Sequence, residues 1–202
     1  MENMIFLEDY QETFQYQLTE SEQDGKNFRI RGIVSRAGVK NKNRRIYPKN
    51  VMEEAITKIQ DSVKAGGFVG ELDHPPTPKV NVDKISHKIT QIDMAEDGAV
   101  LAEMIVLDTS KGTELKKLIA GGIRLGVSTR ALGGVKPYSG PLGEGLLEVQ
   151  PGLNLKAIDV VFDPSAGDDG RPDFVMESVT EGGIVLGHTK KFEQVWSDVF
   201  GG

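Results

Sequence analysis

Apolar residues recur along this chain at two spacings, and the change from one to the other marks out its elements. Between Asn27 and Ser35, Phe28, Ile30 and Val34 alternate with Arg29 and Arg31, the pattern of a half-buried strand. Past Pro48 the spacing becomes helical: Met52, Ala55, Ile56, Ile59 and Val63 recur until Gly66-Gly67 ends the run. A short strand from Phe68 follows and stops at Pro75-Pro76, which cannot donate to a sheet ladder. Lys84 to Met94 and Val100 to Leu107, joined through Glu96-Asp97-Gly98, predict a hairpin. Thr109 to Ala120 places Leu115, Leu118 and Ile119 on one helical face and stops at Gly121-Gly122. Strands are expected again at Ile123 to Ala131, Leu146 to Val149 and Leu155 to Phe162. Phe192, Val195, Trp196, Val199 and Phe200 then follow the spacing of an amphipathic helix. Strands outnumber helices, no internal repeat is present, and the economical architecture is α+β on an antiparallel sheet or barrel. The first twenty residues mix Phe6, Tyr10, Phe14 and Tyr16 with acids and Gln, and look like an appendage set off by Asp24-Gly25.

Composition narrows the chemistry. The 202 residues suit one domain with tails, long enough to bury a core. With no Cys there is no disulfide, thiolate metal site or cysteine nucleophile, which leaves Ser, Thr, Lys or a carboxylate for nucleophilic work. A formal charge of −6 argues against a general nucleic-acid binder, and no apolar run approaches the ~20 residues of a membrane span. Met1 to Tyr10 carries Glu2, Glu8 and Asp9 and none of a signal peptide's positive charge, so an unsecreted, soluble protein is expected.

Three constellations could carry chemistry. Gly70-Glu71-Leu72-Asp73-His74-Pro75 puts an imidazole beside a carboxylate at a forced strand end, where sites are commonly built. His87 alternates with Ile85 and Ile89 and suits a half-buried core position, whereas His188 sits in a Gly-flanked segment beside Lys190 and Lys191. His74 and His87, across a Pro-rich loop, match no recognised zinc spacing even with Glu71 and Asp73 as further ligands. In the second constellation strand periodicity sends Arg124, Gly126, Ser128 and Arg130 to one face. Gly126 leaves room beside the Ser128 hydroxyl, and Arg130 offers charge for an oxyanion or a substrate carboxylate; a plain edge strand with a solvated face fits the same residues. The third is Asp159, between Ala157 and Val161 on a strand apolar on both faces, where a carboxylate needs a cationic or hydrogen-bonding partner; an imidazolium is one. The glycine clusters match no phosphate-binding loop. Lys40, Lys42, Arg44, Arg45 and Lys49 around Tyr47 form a basic loop that reads best as solvated.

Four segments in order, Asn43-Arg44-Arg45-Ile46-Tyr47-Pro48, Gly70 to Pro75, Gly126-Val127-Ser128-Thr129-Arg130-Ala131-Leu132-Gly133 and Asp159-Val160-Val161-Phe162-Asp163-Pro164-Ser165-Ala166, resemble the prohead core proteases of T-even-type tailed bacteriophages. The resemblance spans roughly residues 28 to 166. It implies a serine endopeptidase with an α+β, mostly antiparallel β-barrel wrapped by a few helices, similar to the herpesvirus maturation protease. It implies Ser128 as nucleophile and His74 as general base, with Asp159 as the third member that orients the imidazole. Asp73 and His87 are rival orienters, since the herpesvirus third member is a His. Thr129, Arg130, Arg124 and Gly126 become candidates for binding substrate or oxyanion, with Arg124 and Arg130 the cations for a glutamate pocket. Such proteases cut phage scaffold and capsid proteins, and themselves, after Glu in Leu/Ile-x-Glu sequences. Leu18-Thr19-Glu20 is such a site, and Val175-Met176-Glu177 and Val179-Thr180-Glu181 are looser ones. The implied organisation is a propeptide-like segment 1–20, a protease core 21–175 and a tail 176–202 with its short helix. No cofactor, metal or membrane is implied, nucleic acid is not expected, and a homo-oligomer inside the prohead in the host bacterial cytoplasm is. Rival readings are a non-catalytic structural or scaffold protein of the head and a capsid factor that touches nucleic acid through the basic loop.

Overall fold

The computed structural model describes residues 5–11, 16–20, 28–73, 77–123, 125–162, 176–180, 183–186 and 196–201. In chain order the strands are β1 (Ile5–Gln11), β2 (Tyr16–Glu20), β3 (Phe28–Arg36), β4 (Arg45–Ile46), β5 (Val69–Glu71), β6 (Ile85–Met94), β7 (Ala99–Val106), β8 (Gly126–Gly133), β9 (Val135–Pro137), β10 (Leu147–Val149), β11 (Asn154–Val161), β12 (Met176–Thr180) and β13 (Gly183–Leu186). The helices are α1 (Lys49–Lys64) and α2 (Ser110–Ala120), with a 3-10 turn at Val82–Lys84. The protein is thus a strand-rich α+β chain with few helices.

A five-stranded sheet ordered β2-β3-β7-β6-β5 carries the core. The hairpin β6–β7 closes on Gly98 at φ 90, where an added Cβ would stand 2.6 Å from the Ala37 carbonyl oxygen. Every residue of the central strand β7 is buried, even Glu103, whose carboxylate takes Arg29 at 2.6 Å and Arg31 at 2.9 Å and accepts from the Thr90 hydroxyl. Helix α1 buries Val51, Met52, Ala55, Ile56, Ile59 and Val63, packs on β6 and β11, and ends at Gly66 with φ 72. The Thr109 hydroxyl accepts from Gly112 N–H and donates to the Ile85 carbonyl, so one side chain caps α2 and ties it to β6. Trp196, in the helical turn 196–200, packs on Ala99 and Leu101, with the Arg31 guanidinium 4.9 Å from its ring centroid. The rest of the expected helix, Phe192 to Val195, lies outside the described residues.

A second sheet, β1-β8-β11, is antiparallel throughout with β8 at its centre. It meets the first at β5, where Leu72 forms a parallel bridge with Val160 and Asp73 N–H donates to the Val160 carbonyl at 2.8 Å. Gly70 permits this approach: a Cβ there would lie 1.8 Å from the Ile158 carbonyl oxygen and 2.3 Å from the His87 ring. The small sheet β4-β10-β9 and the hairpin β12–β13 complete the described strands.

The first twenty residues, read as an appendage, contribute β1 and β2 to the two main sheets. Their composition shows no clean alternation; the strands exist because β8 and β3 offer edges for them to pair with. No described helix is long and apolar enough to cross a membrane.

Candidate active site

Strand β8 places Ser128 across from Asp159 of β11 and, on its other side, across from Tyr10 of β1. Cross-strand partners in an antiparallel pair share a face, so Ser128, Arg130 and Asp159 project together, as the strand periodicity predicts. Ser128 is fully buried, and its hydroxyl has no hydrogen-bond partner among the described residues.

Arg130, two residues on, is also fully buried. Its Nε lies 2.5 Å from Asp159 Oδ2 and its Nη2 donates to Asp159 Oδ1 at 3.0 Å, while Glu71 Oε1 is 3.1 Å from the same Nη2. Nη1 donates to the carbonyls of Thr77 at 2.9 Å and Lys79 at 3.2 Å. The backbone reinforces the cluster: Glu71 N–H donates to Asp159 Oδ1 at 2.8 Å, and Asn81 N–H to Glu71 Oε1 at 2.6 Å. Burial acts to lower the guanidinium's pKa, but the hydrogen bond and charge of Asp159, joined by Glu71, outweigh it and leave it raised.

The arrangement corrects the expectation for Arg130. A guanidinium enclosed by two carboxylates and two carbonyls is not open to a substrate carboxylate; it binds the protein's own. Asp159 has the cationic partner its buried position demands, and that partner is Arg130. The sequence showed the need for a partner and missed Glu71, whose only signal was a carboxylate in a short strand between Gly70 and Leu72.

His87 is fully buried rather than half-buried. Its Nε2–H donates to the Ile158 carbonyl at 2.9 Å and its Nδ1 accepts from the Ser86 hydroxyl at 2.8 Å. Burial drives its pKa down to about 4 despite the Ile158 bond, so the ring is a neutral tie between β6 and β11, with both nitrogens occupied. Asp73, the other rival orienter, is exposed with φ 60 at the end of β5. Thr129 is buried on the opposite face of β8, against Ile158, and Gly126 opens the strand across from Val161. His74, Arg124 and Glu181 lie outside the described residues; Glu20 ends β2, paired with Phe28, and Glu177 falls in β12. Among the described residues no group of three or more His, Asp or Glu is arranged to hold a metal ion. A cleft at the β6–β7 turn, lined by Asp93, Glu96, Asp97 and Asp198, contains none of the residues above.

Comparison with known proteins gives the family. Residues 16–181 match the family model described as prohead core protein serine protease, a span that contains Glu71, His74, Ser128, Arg130 and Asp159. Over 144 residues, 69% of this chain, the sequence is 36% identical to the prohead core protein protease of Enterobacteria phage T4. That alignment spans 65% of the phage protein's length. The fold is similar to the solved structure of the bacteriophage T4 capsid assembly protease, gp21, with a TM-score of 0.70 and 26% identity, covering 79% of this chain and 99% of that one. The family match spans most of the chain, and the chain belongs to the prohead core protein serine protease family.

Proposed function

We propose that this protein is a serine endopeptidase of phage prohead maturation that cuts scaffold and capsid proteins, and itself, after Glu in Leu/Ile-x-Glu sequences inside the prohead, within the host cytoplasm, as a homo-oligomer. The observation that carries this reading is the buried Ser128 hydroxyl, in register with Asp159 and without a hydrogen-bond partner among the described residues. Leu72 and Asp73, which precede His74 in the sequence, bond to Val160 beside Asp159, and this supports the reading.

In the proposed reaction His74 takes the Ser128 hydroxyl proton as Oγ attacks the carbonyl after Glu, then returns a proton to the leaving amine. Water repeats the sequence on the acyl-enzyme, with His74 again as base. Asp159 is the third member, held by Arg130 and the Glu71 N–H. With Arg130 enclosed, backbone N–H groups remain to hold the oxyanion. The joint at Leu72 and Val160 also supports reading the two main sheets as the curved wall of a herpesvirus-protease-like barrel.

Strand β1 gives the self-cleavage reading a geometric basis. It lies along β8 with Tyr10 across from Ser128 and Glu8 across from Arg130, so residues 5–11 run beside the nucleophile's strand. The expected bond in this segment is the one after Glu20, and Phe6-Leu7-Glu8 departs from the motif with Phe where it has Leu or Ile; Glu177 and Glu181 are the tail sites. The division into segment 1–20, core 21–175 and tail 176–202 is part of this proposal. The test is the intact mass of the purified chain beside Ser128→Ala: shortening after Glu in the parent alone supports the reading, and two equally whole chains overturn it.

A further inference from the structure

Strand β8 pairs on one side with β11, and β1 fills its other edge, the one beside Ser128. A sheet edge presents a row of backbone N–H and C=O groups to which an extended peptide can add, and pockets for alternate side chains decide which peptide fits. Such a pocket is present. Leu7 of β1 stands across from Ala131, which pairs on its other side with Leu155, and Leu7 is fully buried in the main core cluster. Further along β8 comes Gly133, where an added Cβ would stand 3.0 Å from a Leu7 methyl and 3.0 Å from a Leu153 methyl. Ala131 and Gly133 thus hollow the central strand, and a leucine from the neighbouring edge fills the space.

The register then fixes which bond meets the nucleophile. With Leu7 across from Ala131, Asp9 is across from Thr129 and Tyr10 across from Ser128. The bond after residue 9 therefore lies at Ser128. Leu7-Glu8-Asp9 has the form Leu-x-acid, and it departs from Leu/Ile-x-Glu only in an acid one methylene shorter. The full match, Leu18-Thr19-Glu20, is on β2 instead, across from Ile30, Arg29 and Phe28 of the five-stranded sheet. The bond expected to be cut is held on another sheet, while a near-copy of the motif lies along the nucleophile's strand.

We propose that the outer edge of β8 is the seat for the substrate's extended Leu/Ile-x-Glu segment, that Ala131, Gly133 and Leu153 form the pocket for its Leu or Ile, and that β1 occupies this seat as a built-in pseudosubstrate. The inference rests on the protease reading of the preceding section and names how that site takes its substrate and how it is kept closed. A substrate paired with β8 as β1 is, with its Leu in place of Leu7, brings the carbonyl of its Glu to the place of the Asp9 carbonyl, next to Ser128. The step from Leu to Glu in the motif is the step from Ala131 to Thr129 on β8. Cutting after Glu20, by the same chain or by a second copy, requires β1 to leave the seat. Once the cut is made, the hold of β1 on β8 is no longer intramolecular, and dilution opens the site.

The experiment uses the full chain and a fluorogenic reporter peptide with the sequence of residues 15–24, which contains Leu18-Thr19-Glu20. A synthetic peptide of residues 1–12, added to the parent after self-cleavage and gel filtration, is expected to raise the apparent KM for the reporter at constant kcat. The same peptide carrying Leu7→Asp is expected to compete about tenfold more weakly or worse, because it cannot bury the leucine. In the full chain Asp9→Glu is expected to create a cut after position 9, read by intact mass, that is absent when Ser128→Ala is added. A parent that cuts itself and the reporter while the peptide of residues 1–12 does not compete, or competes equally well with Leu7→Asp, overturns the inference and leaves the protease reading standing. An Asp9→Glu chain cut after Glu20 but not after position 9 overturns it likewise. A parent that cuts neither itself nor the reporter overturns the protease reading, and the inference with it.

Discussion

Removal of the Arg130 guanidinium is the sharpest perturbation of the site's framework. In Arg130→Met, placed in the Ser128→Ala background so that self-cleavage does not intervene, Glu71 and Asp159 stay buried and lose their shared cation, while the Thr77 and Lys79 carbonyls lose their donor. Breaking one buried pair by removing a partner costs about 3–5 kcal/mol, and the second carboxylate adds less than its separate cost because the two share one partner. At roughly 2–4 °C per kcal/mol for a chain of this size, the midpoint should fall by about 6–20 °C at neutral pH. The triple variant Arg130→Met/Glu71→Gln/Asp159→Asn should recover most of the loss, since it removes the stranded charges together with the pair. Calorimetric melts at pH 7 provide the measurement. An Arg130→Met chain within about 1 kcal/mol of its parent at pH 7, or a triple variant no better than the single one, would refute the reasoning.

Other outcomes follow from the same geometry. Gly70→Ala drives a Cβ into the Ile158 carbonyl and the His87 ring, and is expected to lower stability by about 1–3 kcal/mol or more in urea unfolding and to break the His87–Ile158 hydrogen bond; wild-type stability would contradict the packing at the joint between the sheets. His87 titrates at about 4 when folded and near its ordinary 6.5 when unfolded, so between those values the unfolded chain binds more protons and stability falls as pH drops. That term amounts to about 3 kcal/mol across the window, and urea midpoints from pH 7 to pH 4 should fall more steeply for the parent than for His87→Gln.

Much of the frame was legible because its signals are local. The α1 spacing from Met52 to Val63 and its Gly66 stop, the Gly98 hairpin, and the shared face of Ser128 and Arg130 depend only on neighbouring residues and strand or helix period. What escaped is set by pairing at a distance. Strand β1 has little internal pattern and forms because β8 presents an edge; β2 does the same on β3. Asp159 illustrates the boundary well: its apolar surroundings announced a buried carboxylate in need of a cation, but periodicity cannot say which cation arrives. The register with a bulge between Leu155 and Ala157 sets Arg130 across from Ala157, diagonal to Asp159, and the β5 joint brings in Glu71. Both facts belong to the tertiary fold.

The central claim, that Ser128 is a nucleophile whose strand is covered by a removable segment, meets its most direct test in intact-mass analysis of the purified chain and its Ser128→Ala variant over time. The unmutated chain is expected to lose its N-terminal residues through Glu20, with or without a further cut after Glu177 or Glu181, while the variant stays whole. A parent chain that remains whole, or a variant trimmed at the same bonds and the same rate, would contradict it.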